Sequence, residues 1–180
     1  MIPARERRAA SKVLLVRDPR DVIVSLYFEL SKKGARPSYA GQLGEMIGHP
    51  RFGVRALVDI MNRWITDWGS LPNFKLVRYE SCRSHPEGTF RDVLGFLGFT
   101  NLDESLLKQS IEFARFENMH RMEAARMFNS AGLSRADPAD PESFRVRRGI
   151  VGGYKDYLSA EQILDLDREI ALLDRRYGYH

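Results

Sequence analysis

The chain of 180 residues carries 28 lysines and arginines against 24 aspartates and glutamates, a formal net charge of +4, with 43% hydrophobic and 29% charged residues. Those proportions exclude a disordered or collagen-like chain and predict one globular domain over residues 1–180 with a core of ordinary size. No apolar run approaches the roughly 20 residues that a membrane-spanning helix needs, and a single cysteine, Cys82, can form neither an intrachain disulfide nor a zinc-ligand set. The start, Met1–Ala10, is Arg-rich, and the apolar run Val13–Val16 is too short for a secretory signal, so a cytoplasmic setting with no membrane partner is expected. The basic excess points to anionic partners but is too mild to single out nucleic acid.

Lys12–Val16 is a short β-branched and leucine run that stops at Arg17-Asp18-Pro19, which predicts a buried strand feeding a turn. Asp18 suits an N-cap, Pro19 the first helical position, and Asp21 a place where a carboxylate favours the helix dipole. The helix runs through Val22–Leu30 and stops at Lys32-Lys33-Gly34. Ala35–Pro50 reads as a loop with a short helix around Ala40–Ile47. Val54, Leu57, Val58, Met61, Trp64, Ile65 and Trp68 then recur at spacings of three and four, a long amphipathic helix closed near Gly69. Phe74–Tyr79 reads as a second strand, and Phe90, Val93, Leu94 and Leu97 mark a helix from Pro86 to Gly98. Asp103 opens a further helix that continues, with a break, towards Met127. Ala131–Ser143 reads as a loop. Ser159 to Gln162 form a capping box, and Ile163, Leu166, Ile170, Leu173 and Tyr177 give the last helix its stripe. The pattern is α/β, rich in helix, with two strands of a parallel sheet.

Two polar residues break the first strand and helix. Arg17 emerges at the carboxyl end of a strand, where open α/β sheets bind ligands. Ser25 is the one polar residue in Val22–Phe28, on a helix expected to be nearly all buried. Two readings stand for each. Arg17 pairs with Asp18 or Asp21, or it joins the helix N-terminus in holding an anion; Ser25 returns its hydroxyl to the backbone four residues back, or it faces that anion. Downstream, Phe144–Ile150 holds three arginines in seven residues without an acid, and Gly152-Gly153 follow. Such a run is either a solvated basic loop or a phosphate-closing one, and the glycines fit the second better.

Together these segments resemble the sulfotransferases that use 3′-phosphoadenosine 5′-phosphosulfate (PAPS) as sulfuryl donor. Val16–Ser25, with its eight-residue step from Arg17 to Ser25, is similar to the family's 3′-phosphate-binding strand and helix. Val77–Glu80, His85–Glu87 and Phe96–Phe99 resemble its next strand and helix, Phe116–Met119 its adenine-packing segment, and Val146–Tyr157 its closing loop. The resemblance implies a P-loop-NTPase-like three-layer fold, Arg17 and Ser25 on the 3′-phosphate with Arg147, Arg148 and Gly149 opposite, Tyr79 beside the adenine and Phe116 stacked on it. PAPS and its product 3′-phosphoadenosine 5′-phosphate (PAP) are the implied co-substrates, without a metal. Ala114 stands where many members place a hydroxyl residue, and Gly153-Tyr154 replace a common Asp-Trp.

The family's 5′-phosphosulfate loop and catalytic histidine lie upstream of the position matching Arg17, and here 16 residues precede it, with neither lysine nor histidine in Met1–Ser11. His49, His85, His120 and His180 fall in other segments. The resemblance therefore implies a truncated sulfotransferase domain with no assigned catalytic residue. It implies a PAPS-dependent enzyme that binds PAPS and transfers a sulfuryl group to a hydroxyl or amine acceptor, expected to be inactive as this isolated chain. The alternative is a non-catalytic nucleotide-binding or interaction protein derived from a sulfotransferase. A nucleic-acid-binding reading ranks last, because the arginines fall at turns and not along one helix face. The small-molecule acceptor stays unnamed, since the segments around 35–50 and 128–143 offer no decisive chemistry. A short sheet with an open edge further predicts a homo-oligomer, or a missing amino-terminal segment supplied in trans.

Overall fold

The computed structural model describes residues 10–32, 38–127 and 139–179. Most of the Arg-rich start, the stop at Lys33-Gly34, loop positions 35–37 and 131–138, and His180 lie outside the described residues. Strand β1 (Lys12–Val16) leads through Asp18, whose Oδ1 accepts the Arg20 N–H at 2.9 Å, into helix α1 (Pro19–Lys32). Helices α2 (Leu43–Ile47) and α3 (Val54–Trp68) follow, then β2 (Phe74–Arg78), α4 (Tyr79–Ser84), α5 (Pro86–Phe96), α6 (Glu104–Phe113) and α7 (Phe116–Ala124). Short 3-10 turns at Pro141–Ser143 and Gly153–Asp156, helix α8 (Ala160–Ile170) and a last 3-10 turn at Arg175–Tyr177 complete the order.

The architecture is mixed α/β and mostly helical. Among the described residues the sheet has two strands, parallel, with Lys12 opposite Phe74 and Val16 opposite Arg78. Leu14, Val16, Phe74 and Leu76 turn one face towards the core, where Ile23, Val24 and Phe28 of α1 meet Val58, Met61 and Ile65 of α3 and Leu166 and Ile170 of α8. The opposite face is half-covered. Lys75 pairs with Asp92 of α5 at 2.8 Å and lies over the Phe96 ring, while Val13 and Leu15 of β1 stay 40% and 58% exposed.

Three expectations shift. The second strand ends at Arg78, because Tyr79 already begins α4, a helix the apolar pattern does not show. The last helix keeps its capping box but ends at Ile170, and Leu173 and Tyr177 reach the core from turns beyond it. Ser25 is exposed and not wrapped by neighbours, since its side of α1 opens onto a cleft.

The carboxyl terminus is stitched to α3 and α4. Tyr177, fully buried, donates its hydroxyl to the Met61 carbonyl at 2.6 Å, and Tyr179 donates to Glu80 Oε2 at 2.7 Å. Burial pushes the Tyr177 phenol up to about 12 from an ordinary 10.0, and burial with the Glu80 bond raises Tyr179 as well. The folded chain thus keeps these protons where the unfolded chain has lost them. The contribution of Tyr177 is complete below pH 10.0 and drains between 10.0 and about 12. Thermal melts should fall as pH rises through that window, and Tyr177→Phe should flatten the fall; a variant with the wild-type pH slope would contradict it.

Candidate functional site

The strands end beside each other, and what they release lines a cleft of about 720 Å³. Arg17 leaves β1, Tyr79 leaves β2, Ser25 comes from the second turn of α1, Phe116 opens α7, and Arg147, Arg148 and Gly149 arrive from the loop before the Gly153–Asp156 turn. All seven residues singled out from the sequence border this one cleft. Its wall carries six arginines against three carboxylates, Asp21, Glu87 and Glu117, so it favours an anion. Cys82, Pro86, Phe90, Ile111, Ala114 and Met119 add an apolar stretch. Burial pushes the Cys82 thiol up, so it stands there neutral.

Of the two readings of Arg17, the pairing with Asp21 is present. Its Nη2 meets Asp21 Oδ2 at 3.1 Å and donates to the Ile150 carbonyl at 2.7 Å. The guanidinium lies over the Tyr79 ring, 4.6 Å from the centroid, and its buried Nε–H has no acceptor. Ser25 does not return its hydroxyl to Asp21's carbonyl and makes no hydrogen bond among the described residues.

The arginine run is not a solvated loop. An acid holds each side chain: Glu29 of α1 meets Arg145 at 2.7 Å, and the nearby Glu142 and Asp156 meet Arg147 at 2.7 Å and Arg148 at 2.6 Å. Arg147 also donates to the Tyr157 hydroxyl and lies 4.2 Å over the Phe28 ring. Gly149 has φ of +62°, and a Cβ there would come within 2.5 Å of Phe116 Cδ2, so the loop backbone closes directly on that ring.

Sequence reasoning missed the anchors. Asp21, read as a dipole carboxylate, is 3% exposed and accepts the N–H groups of Gly152 at 2.9 Å and Tyr154 at 3.0 Å. Glu80 accepts the Asp18 N–H at 2.9 Å, tying the turn after β1 to the end of β2. The histidines stand apart. His49 accepts the Arg51 and Phe52 N–H groups in a local turn, His85 is exposed beside Ser84, and His120 lies behind Phe116. Among the described residues no group of three or more His, Cys, Asp and Glu could hold a metal, and no helix is long and apolar enough to cross a membrane.

Comparison with known proteins places the chain. A family model for the sulfotransferase domain matches residues 3–173. Mouse sulfotransferase 2A1 is 25% identical over 165 residues, covering 88% of this chain and 54% of the relative. Arabidopsis thaliana cytosolic sulfotransferase 17 is 23% identical, covering 93% and 50%. The chain thus spans about half the length of the curated relatives it matches. The fold matches the crystal structure of mouse sulfotransferase SULT7A1 complexed with PAP (TM-score 0.66, 17% identity, 93% of this chain and 58% of that one). It also matches retinol dehydratase in complex with androsterone and the inactive cofactor PAP (TM-score 0.67, 21% identity, 94% and 49%).

Proposed function

The chain belongs to the sulfotransferase family, and on that premise we propose that its cleft binds PAPS and PAP through their shared adenine and 3′-phosphate. The observation that carries this reading is convergence: Arg17, Ser25, Tyr79, Phe116, Arg147, Arg148 and Gly149, drawn from four separate segments, border one basic cleft. The residues fit the nucleotide. Arg17 spends Nη2 on Asp21 and Ile150 and leaves a buried Nε–H without an acceptor, and Arg147 spends Nη1 on Glu142 and Tyr157. A guanidinium has five N–H donors, so carboxylates on one edge fix the side chain while another edge stays available to a phosphate. Arg17 and Ser25 would hold the 3′-phosphate from α1, and Arg147, Arg148 and the Gly149 backbone from the loop. Phe116 and Tyr79 would take the base.

Bound PAPS supplies an activated sulfuryl group, which in this family passes to a hydroxyl or amine acceptor. Such a transfer needs a group to accept the acceptor's proton. Among the described residues no histidine borders the cleft, and the His120 ring is already bonded to the Val146 carbonyl. The reading for this chain is therefore selective nucleotide binding, with turnover not expected of the 180 residues alone.

Calorimetry tests it. One net charge-assisted bond to the 3′-phosphate, worth about 1.5–3 kcal/mol, makes PAP bind roughly tenfold to a hundredfold tighter than adenosine 5′-phosphate. Equal affinities would sink the reading. With labelled PAPS and phenolic, alcoholic or amine acceptors, no labelled product should form; robust turnover would restore a catalytic role, and His120 would be the first residue to replace.

A further inference from the structure

Helix α7, which carries Phe116, is fastened to the arginine loop by two side chains that do not border the cleft. Glu123 is 2% exposed and pairs with no cation among the described residues. One of its oxygens accepts the Arg145 N–H at 2.7 Å and the other the Val146 N–H at 2.8 Å. One turn earlier, the His120 Nδ1 lies 2.7 Å from the Val146 carbonyl. A carbonyl only accepts, so His120 carries a proton at Nδ1 and donates it. Its ring is stacked between Phe116, 5.6 Å away, and Phe144, 4.4 Å away.

Burying a carboxylate is unfavourable unless its oxygens are bonded. An apolar residue at 123 would fill the space without that penalty, but it would leave two loop N–H groups unbonded and the loop free to slide along α7. Three bonds instead fix residues 145 and 146 against the helix. The next three residues are Arg147, Arg148 and Gly149, and Gly149 closes on the Phe116 ring. Ring and arginines therefore move as one body.

We propose that Glu123, with His120 beside it, is a positioning residue that sets the register of Arg147 and Arg148 against Phe116, and so couples recognition of the base to recognition of the 3′-phosphate. This rests on the nucleotide reading of the cleft. A loop released from α7 would still present an aromatic face, but its arginines would no longer sit at a fixed distance from that face.

The test compares PAP with adenosine 5′-phosphate on wild type, Glu123→Ala and Glu123→Gln by calorimetry. Alanine should cut the preference for PAP about tenfold while changing adenosine 5′-phosphate affinity much less. Glutamine, whose single amide oxygen can keep one of the two N–H bonds, should fall between and carries the test if alanine fails to fold. A purely structural role would weaken both nucleotides together, so an unchanged ratio in the folded variants overturns the proposal. Hydrogen exchange separates this from the nucleotide reading. If wild type shows no preference for PAP, that reading fails, and the register role is judged by the Arg145 and Val146 amides alone. Exchange about tenfold faster in Glu123→Gln supports the clamp, and equal rates overturn it.

Discussion

Arg17→Ala should abolish most of the preference for PAP over adenosine 5′-phosphate while leaving the weaker nucleotide's affinity within about threefold of wild type. The guanidinium sits where three things meet: the end of β1, the Tyr79 ring and the loop carbonyl of Ile150. It is about one-quarter exposed and already oriented by Asp21, so it presents its donors without first losing side-chain freedom. A bond from a charged donor to phosphate contributes about 1.5–3 kcal/mol, or roughly one to two decades in affinity. Arg17→Lys discriminates charge from geometry. Lysine keeps the charge but not the planar fork, and its three N–H donors all leave one nitrogen, so it matches the spread of Asp21, Ile150 and a phosphate poorly. Lysine should recover less than half of the lost preference in free-energy terms; full recovery would mean that the site reads charge alone.

The elements were legible where the sequence is locally consistent. β1, the Asp18-Pro19 start of α1, the three-and-four spacing of α3 and the Ser159–Gln162 box each declare themselves within one or two turns, and the structure keeps them. Of the cleft-bordering residues, Arg17, Ser25 and the arginine run were legible because they sit out of pattern, whereas Tyr79 and Phe116 came from the family resemblance alone. What stayed hidden is what holds them. Asp21 bonds residues more than 130 positions away, and no periodicity links a carboxylate in α1 to the amides of Gly152 and Tyr154. Glu123 left a fainter trace. Phe116, Met119, His120 and Glu123 fall on one helical stripe, where an acid is out of place, but the burial that makes it informative depends on a loop folded over it. α4 was missed for a different reason: six residues with no buried side chain give no apolar stripe to detect.

Asp21→Ala should destabilise the chain by about 3 kcal/mol and loosen the closing loop. Its carboxylate is the shared acceptor of the Gly152 and Tyr154 amides and of Arg17, and almost none of it reaches solvent. Removing it strands two backbone donors and one cation. Water entering through the cleft can satisfy part of that loss, which keeps the figure at the lower end of the range for a broken buried pair. For a chain of this length the change corresponds to a fall in Tm of roughly 6–12 °C. Asp21→Asn retains an oxygen for one amide and should lie between. Nucleotide binding poses a sharper question, because removing a carboxylate beside the proposed phosphate subsite weakens repulsion while it frees the loop. The negative charge of Asp21 is already met by two amides and a guanidinium, so little repulsion remains to be relieved. Loss of position wins, and PAP affinity should fall. Saturating PAP should then raise the Tm of Asp21→Ala by less than it raises that of wild type, since ligand stabilisation grows with concentration over Kd. An alanine variant that melts within about 2 °C of wild type and binds PAP as tightly would remove Asp21 from the account of how the loop is held.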